Sequence, residues 1–193
     1  MTLPNLITIG RLLLVPLVIW FIVADQPLAA FIVLVVAGVS DAVDGFLARA
    51  LDLRSDLGTY LDPVADKALL VSVYVTLAVV DEIPVWLTIL IVSRDVLIVG
   101  AVVLSWMLSA PTVVKPLAIS KVNTVLQIVL AVVVLGGLGF GLNLGWLPMA
   151  LVYIVAALTV LSAAMYLVDW VRHMGTTDAA SSPPSGDTRK PTV

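Results

Sequence analysis

Asp41-Ala42-Val43-Asp44-Gly45-Phe46-Leu47-Ala48-Arg49, answered by Gly58-Thr59-Tyr60-Leu61-Asp62-Pro63-Val64-Ala65-Asp66, sets four aspartates within 26 residues of an otherwise apolar chain. An Asp at the centre of a membrane helix costs about 2.5–3.5 kcal/mol on insertion scales, so four unpaired would cost about 10–14 kcal/mol. That exceeds the total stability of many domains. These acids must lie near a membrane surface, bind something positive, or both.

The membrane inference comes from the rest of the chain. Of 193 residues, 61% are hydrophobic and 12% are charged, and the mean hydropathy is +1.15. Soluble domains carry about 25% charged residues. Apolar runs near the roughly 20 residues needed to cross a bilayer recur at about 5–24, 27–50, 59–80, 84–108, 117–139 and 147–171. We therefore expect an all-α membrane protein of six transmembrane helices in one domain, residues 1–174. Residues 175–193, small, polar and Pro-rich, are expected to form a disordered cytoplasmic tail. The first apolar run has no Lys or Arg before Arg11 and reads as a retained helix rather than a cleaved signal. Cysteine is absent, which excludes disulfides and thiolate metal sites. No internal repeat of the transporter kind is evident.

Charge placement sets the orientation. Arg49, Arg54, Lys115, Lys121, Arg172, Arg189 and Lys190 fall on one side of the six-span scheme. The opposite turns at 25–27, 81–83 and 140–146 contain no Lys or Arg. By the positive-inside rule both termini and the aspartate stretch are cytoplasmic, in a cytoplasmic or inner cell membrane.

On helices, Asp41 and Asp44 are i, i+3 neighbours beside Gly45 and Ala48, and Gly58, Asp62 and Asp66 form an i, i+4, i+8 stripe. A short turn would make the two segments antiparallel neighbours with facing stripes. Carboxylates so close stay ionised only around a cation. An oxygen-only set suits Mg²⁺ or Mn²⁺, and two ions are plausible for four carboxylates. Such ions serve phosphoryl chemistry by neutralising charge on transferring and leaving oxygens. Gly45, Ala48 and Gly58 leave room for a phosphorylated ligand, and Arg49 can hold a phosphate. The plain alternative, structural pairing with Lys67, Arg49 and Arg94, leaves more acids than bases. A cation or proton transporter is a further alternative, since buried acids also mark ion pathways. The acids, however, cluster at one end.

Read as spacing, the stretch is D-x2-D-G-x2-A-R-x8-G-x3-D-x3-D, and over residues 3–172 the chain resembles the CDP-alcohol phosphatidyltransferase family. The resemblance implies attack of an acceptor hydroxyl on the lipid-bearing phosphate of CDP-diacylglycerol, with CMP leaving. It assigns Asp41, Asp44, Asp62 and Asp66 as ligands of two divalent ions and Asp66 as the catalytic base. Gly45, Ala48, Arg49 and Gly58 become the lining of the nucleotide pocket. A homodimer in the lipid bilayer is usual for the family, and no nucleic-acid partner is implied.

Pro4-Asn5 to Arg11 and Leu61 to Lys67 resemble both the cardiolipin synthase and the phosphatidylglycerolphosphate synthase branches. Ser93-Arg94-Asp95-Val96 and Ile119 to Gln127 look more like the former. Phosphatidylglycerol would then be the acceptor, with glycerol 3-phosphate as the alternative. Arg94, Lys121 and Arg11 are candidate contacts for the acceptor phosphate. Arg94 could instead pair with Asp95, and Lys121 and Arg11 could snorkel. Lys115 is expected to be a topology charge. Asn123 and Gln127, at i, i+4, are expected to bond between helices.

Overall fold

The computed structural model describes the backbone of residues 3–50, 56–107 and 118–180, and the side chains of 10–41, 65, 67–100 and 119–168. Six helices follow one another: α1 (Leu3–Val23), α2 (Pro27–Ala50), α3 (Asp56–Val79), α4 (Val85–Met107), α5 (Ala118–Gly139) and α6 (Leu147–Ala180). No strand occurs among the described residues. The six expected segments appear as six helices, their ends shifted by at most a few residues except the last. Helix α6 continues to Ala180, into the stretch expected to be unstructured, because its Ala179-Ala180 are strong helix formers and the first proline comes only at 183. Within the described residues, Ile119–Gly139 and Leu147–Val168 are long and apolar enough to cross a membrane.

The turns after α1, α3 and α5 close alike. Gln26 N–H donates to the Phe21 carbonyl and Asp25 N–H to that of Ile22, at 2.9 and 3.2 Å. Glu82 and Asp81 do the same to Leu77 and Ala78, and Leu142 and Gly141 to Gly137 and Leu138. Each is a Schellman cap whose pivot residue has positive φ: Asp25 at 54°, Asp81 at 62° and Gly141 at 62°. Aspartate tolerates this left-handed backbone better than most residues, which explains its use at two of the pivots. Pro27 then starts α2 at a position where its missing N–H costs nothing.

The bundle is not arranged as simple neighbouring hairpins. Helix α1 packs on both α2 and α3, α2 packs on α5, and α6 packs on α4 and α5. Contacts between α2 and α3 do not occur among the described residues, where α1 packs on both; the expected facing of their 41–48 and 58–66 stripes lies outside the described side chains. The core runs through Val18, Leu34, Val73, Tyr74, Leu87, Ile91, Leu130 and Val155. Large apolar side chains also point outward from every helix, among them Leu13, Ile32, Val79, Val96, Val125 and Val160.

Helix α5 crosses α2 at glycines. A Cβ at Gly139 would lie 2.7 Å from Leu28 Cα, and one at Gly136 would lie 3.1 Å from the Phe31 ring. Phe31 in turn meets Phe140 edge to face, with ring centroids 5.5 Å apart. Backbone so close cannot yield to an added methyl. Gly139→Ala should therefore cost about 1–3 kcal/mol through overpacking, read as a lower midpoint of thermal unfolding in detergent.

Candidate active site

Both halves of the aspartate stretch are helical. Asp41, Asp44, Gly45, Ala48 and Arg49 lie on the last turns of α2, and Gly58, Asp62 and Asp66 lie on the first turns of α3. Among these, Asp41 has a described side chain; those of Asp44, Gly45, Ala48, Arg49, Gly58, Asp62 and Asp66 lie outside the described residues. No group of three metal-ligating side chains occurs among the described residues. The chemistry of the donor set, four carboxylates without His or Cys, suits a hard divalent cation.

Asp41 is partly exposed and its carboxylate receives the guanidinium of Arg11 from α1, with N and O 2.5 Å apart. Arg11 is 4% exposed, so it does not snorkel to a surface. It reaches from α1 to the first aspartate of the stretch, and the α1–α2 packing makes that reach possible.

A second charged cluster lies across the bundle. Lys67, the residue after Asp66, donates to both carboxylate oxygens of Asp95 on α4 at 2.7 Å. Asp95 Oδ1 also accepts from Arg94 Nη1 at 2.7 Å. Arg94 Nη2 donates to Ser120 Oγ on α5 and, at 2.9 Å, to Ser162 Oγ on α6. The Tyr166 ring faces the same guanidinium, 5.9 Å from Cζ. Arg94 is 4% exposed, and one carboxylate answers two cations, so the cluster carries a net positive charge one residue along α3 from Asp66.

The structure thus gives Arg94 the Asp95 partner that the sequence reading held as its alternative, and adds the two serines and Tyr166. Lys67 and Asp95 were not among the expected site residues. The Arg94-Asp95 dipeptide inside an apolar run was the available signal for Asp95. Ser162 and Tyr166 carried none. Lys121, next to Ser120 in sequence, is exposed on the first turn of α5, and Lys115 lies outside the described residues. Asn123 bonds between helices as expected, its Oδ1 accepting from Thr159 at 3.1 Å. The Gln127 side chain has no bond among the described residues, where its backbone carbonyl accepts from Tyr74.

Asp95 neutralises two cations of which one is buried, so its loss leaves charge without a partner in a medium of low polarity. Asp95→Asn should cost about 2–3 kcal/mol, below the fully buried range because Lys67 is partly hydrated. Adding Lys67→Met should recover part of that loss in a double-mutant cycle of detergent denaturation.

The sequence profile of the CDP-alcohol phosphatidyltransferase family matches residues 1–171. A cardiolipin synthase (CMP-forming)/mitochondrial hydrolase fusion protein of Schizosaccharomyces pombe is 38% identical over 86% of this chain and 31% of its own length. The cardiolipin synthase (CMP-forming) of Homo sapiens is 39% identical over 67% of this chain and 48% of its own. A CDP-diacylglycerol–glycerol-3-phosphate 3-phosphatidyltransferase of Rickettsia bellii is 34% identical over 85% of this chain and 92% of its own. The chain therefore spans under half the length of the first two relatives and nearly all of the third. It belongs to the CDP-alcohol phosphatidyltransferase family.

Proposed function

We propose that this member of the family transfers a phosphatidyl group from CDP-diacylglycerol to the hydroxyl of a phosphate-bearing alcohol, releasing CMP, with phosphatidylglycerol as acceptor and cardiolipin as product. The observation that carries this reading is the eight-position motif from Asp41 to Asp66, lying on two helices of a chain that belongs to the family. Family membership also weighs against the transporter reading.

In this proposal the acceptor oxygen forms a bond to the lipid-bearing phosphorus as the bond to the CMP oxygen breaks. Asp66 takes the acceptor proton, as a carboxylate held within reach of the hydroxyl can. Gly45, Ala48 and Gly58 give the cytidine diphosphate room against the backbone, and Arg49 holds its phosphate. Asp41, Asp44, Asp62 and Asp66 would hold Mg²⁺ or Mn²⁺, two ions for four carboxylates, in line with the general divalent-metal dependence of the family. When bound, the metal supplies electrostatic stabilisation of the phosphoryl oxygens. The net positive charge of Lys67, Asp95 and Arg94, one residue from Asp66, offers the acceptor phosphate a counter-charge. Arg11 and Lys121 are the outer candidates for the same phosphate.

Six spans with both termini and the site on the cytoplasmic side complete the proposal, with two copies forming the working unit in a cytoplasmic or inner membrane. Outward apolar side chains on all six helices support the spans. Exposed Trp20, Trp86 and Trp146, near the end of α1 and the starts of α4 and α6, suit one membrane interface. Glycerol 3-phosphate is the second acceptor, favoured by the near full-length match to the Rickettsia bellii protein.

Purified protein given CDP-diacylglycerol with either phosphatidylglycerol or glycerol 3-phosphate, with products read by mass, tests the acceptor. Cardiolipin from the first is the expected result, and phosphatidylglycerolphosphate from the second alone would reverse the assignment. Asp66→Asn should lower turnover by about 10²–10⁴-fold, the usual contribution of a general base, with an unchanged unfolding midpoint. Chelation should abolish product formation, and Mg²⁺ or Mn²⁺ should restore it.

A further inference from the structure

Helices α5 and α6 meet along a polar seam that the charged cluster does not explain. Ser120 and Ser162 share Arg94 at one level, and Asn123 and Thr159 are bonded to each other one turn further in. Gln127 follows one turn beyond Asn123 on the same face of α5. At 1.5 Å per residue it lies about 10 Å along the helix from Ser120.

Asn123 and Gln127 are both 0% exposed. Yet Asn123 Nδ2, Gln127 Nε2, Gln127 Oε1 and Arg94 Nε have no hydrogen-bond partner among the described residues. Apolar residues of the core, Tyr74, Ile91, Leu130 and Val155, belong to the same interior. A buried amide with neither donor nor acceptor matched is a cost that folded proteins almost always relieve with a ligand or water. Here three unmatched groups follow one another along a single seam.

The unmatched atoms define the ligand. Donors predominate, with one carbonyl acceptor among them, so the ligand must accept several hydrogen bonds and donate at least one. A hydroxyl oxygen does both. A metal cation would face donors. An anion would face the Gln127 carbonyl, itself an acceptor, about 10 Å along α5 from Ser120, where Arg94 is bonded.

We propose that the α5–α6 seam is a binding site for neutral hydroxyl ligands, read by the side-chain amides of Asn123 and Gln127 beneath the Arg94 cluster. Two sources share this chemistry: interior water, and the hydroxylated headgroup of the acceptor. The second rests on the proposed transferase reading and the first does not.

Gln127→Met keeps the side-chain length and removes both unmatched polar atoms. The full chain in phosphatidylcholine nanodiscs, with and without phosphatidylglycerol, separates the outcomes. If the site is occupied, the variant loses a satisfied ligand and its unfolding midpoint falls by several degrees. If no ligand is held, removing an unsatisfied amide raises the midpoint. A headgroup ligand would raise the KM for phosphatidylglycerol several-fold at nearly constant kcat, and phosphatidylglycerol would stabilise the wild type but not the variant. A lower midpoint with unchanged KM assigns the site to water. A midpoint that does not fall, together with an unchanged KM, overturns the proposal. Wild-type protein inactive with both acceptors would overturn the transferase reading but leave the thermal comparison standing.

Discussion

A guanidinium inside an apolar helical bundle must find its partners within reach of one side chain, and Arg94 finds them on three helices. Asp95 supplies the opposite charge from the same helix, while Ser120 and Ser162 bring α5 and α6 to it. Lys67 joins the same carboxylate from α3. One buried cation thereby ties four of the six helices. The cost of placing it there, about 2.5–3.5 kcal/mol on insertion scales, is offset because each partner sits on a different rigid element. Moving any of these helices would strand a charge.

The same constraint shapes the region around the aspartate stretch. Helix α1 packs on the described parts of both α2 and α3, and from it Arg11 reaches Asp41. Two basic groups by the stretch have different settings: Arg11 bonds Asp41 directly, and Lys67, next in sequence to Asp66, bonds Asp95. Close glycine packing of α5 on α2 and the three matching caps hold this arrangement from the opposite end.

Much of this was legible in the residues. Apolar runs broken at Asp25-Gln26-Pro27, Asp81-Glu82-Ile83-Pro84 and the glycine-rich 136–145 mark the helices, since each break combines residues that stop a helix or turn the backbone. The spacing from Asp41 to Asp66 marks the candidate site proposed above, because acids and small residues at i, i+3 and i+4 have little reason to recur in an apolar helix. Lys67 was harder to read: it lies beside Asp66 in sequence but bonds a residue 28 positions away. Ser162 is one of several hydroxyls in α6, chemically indistinct from residues that bond only their own backbone, as Thr124 does to Ser120.

The sequence by itself determined the class of molecule, the six helices and which residues make up the acidic stretch. These depend on local spacing, on hydropathy and on residue type, all of which act over a few turns of chain. Only the tertiary structure decided that α1 packs on the described parts of both α2 and α3, that Asp95 is shared by Lys67 and Arg94, and that the Gln127 amide is buried without a partner among the described residues. Those outcomes depend on which helix faces which. In an apolar chain almost every face can be buried or turned to lipid at similar cost. A few polar side chains, each needing a partner at one depth, select among those packings.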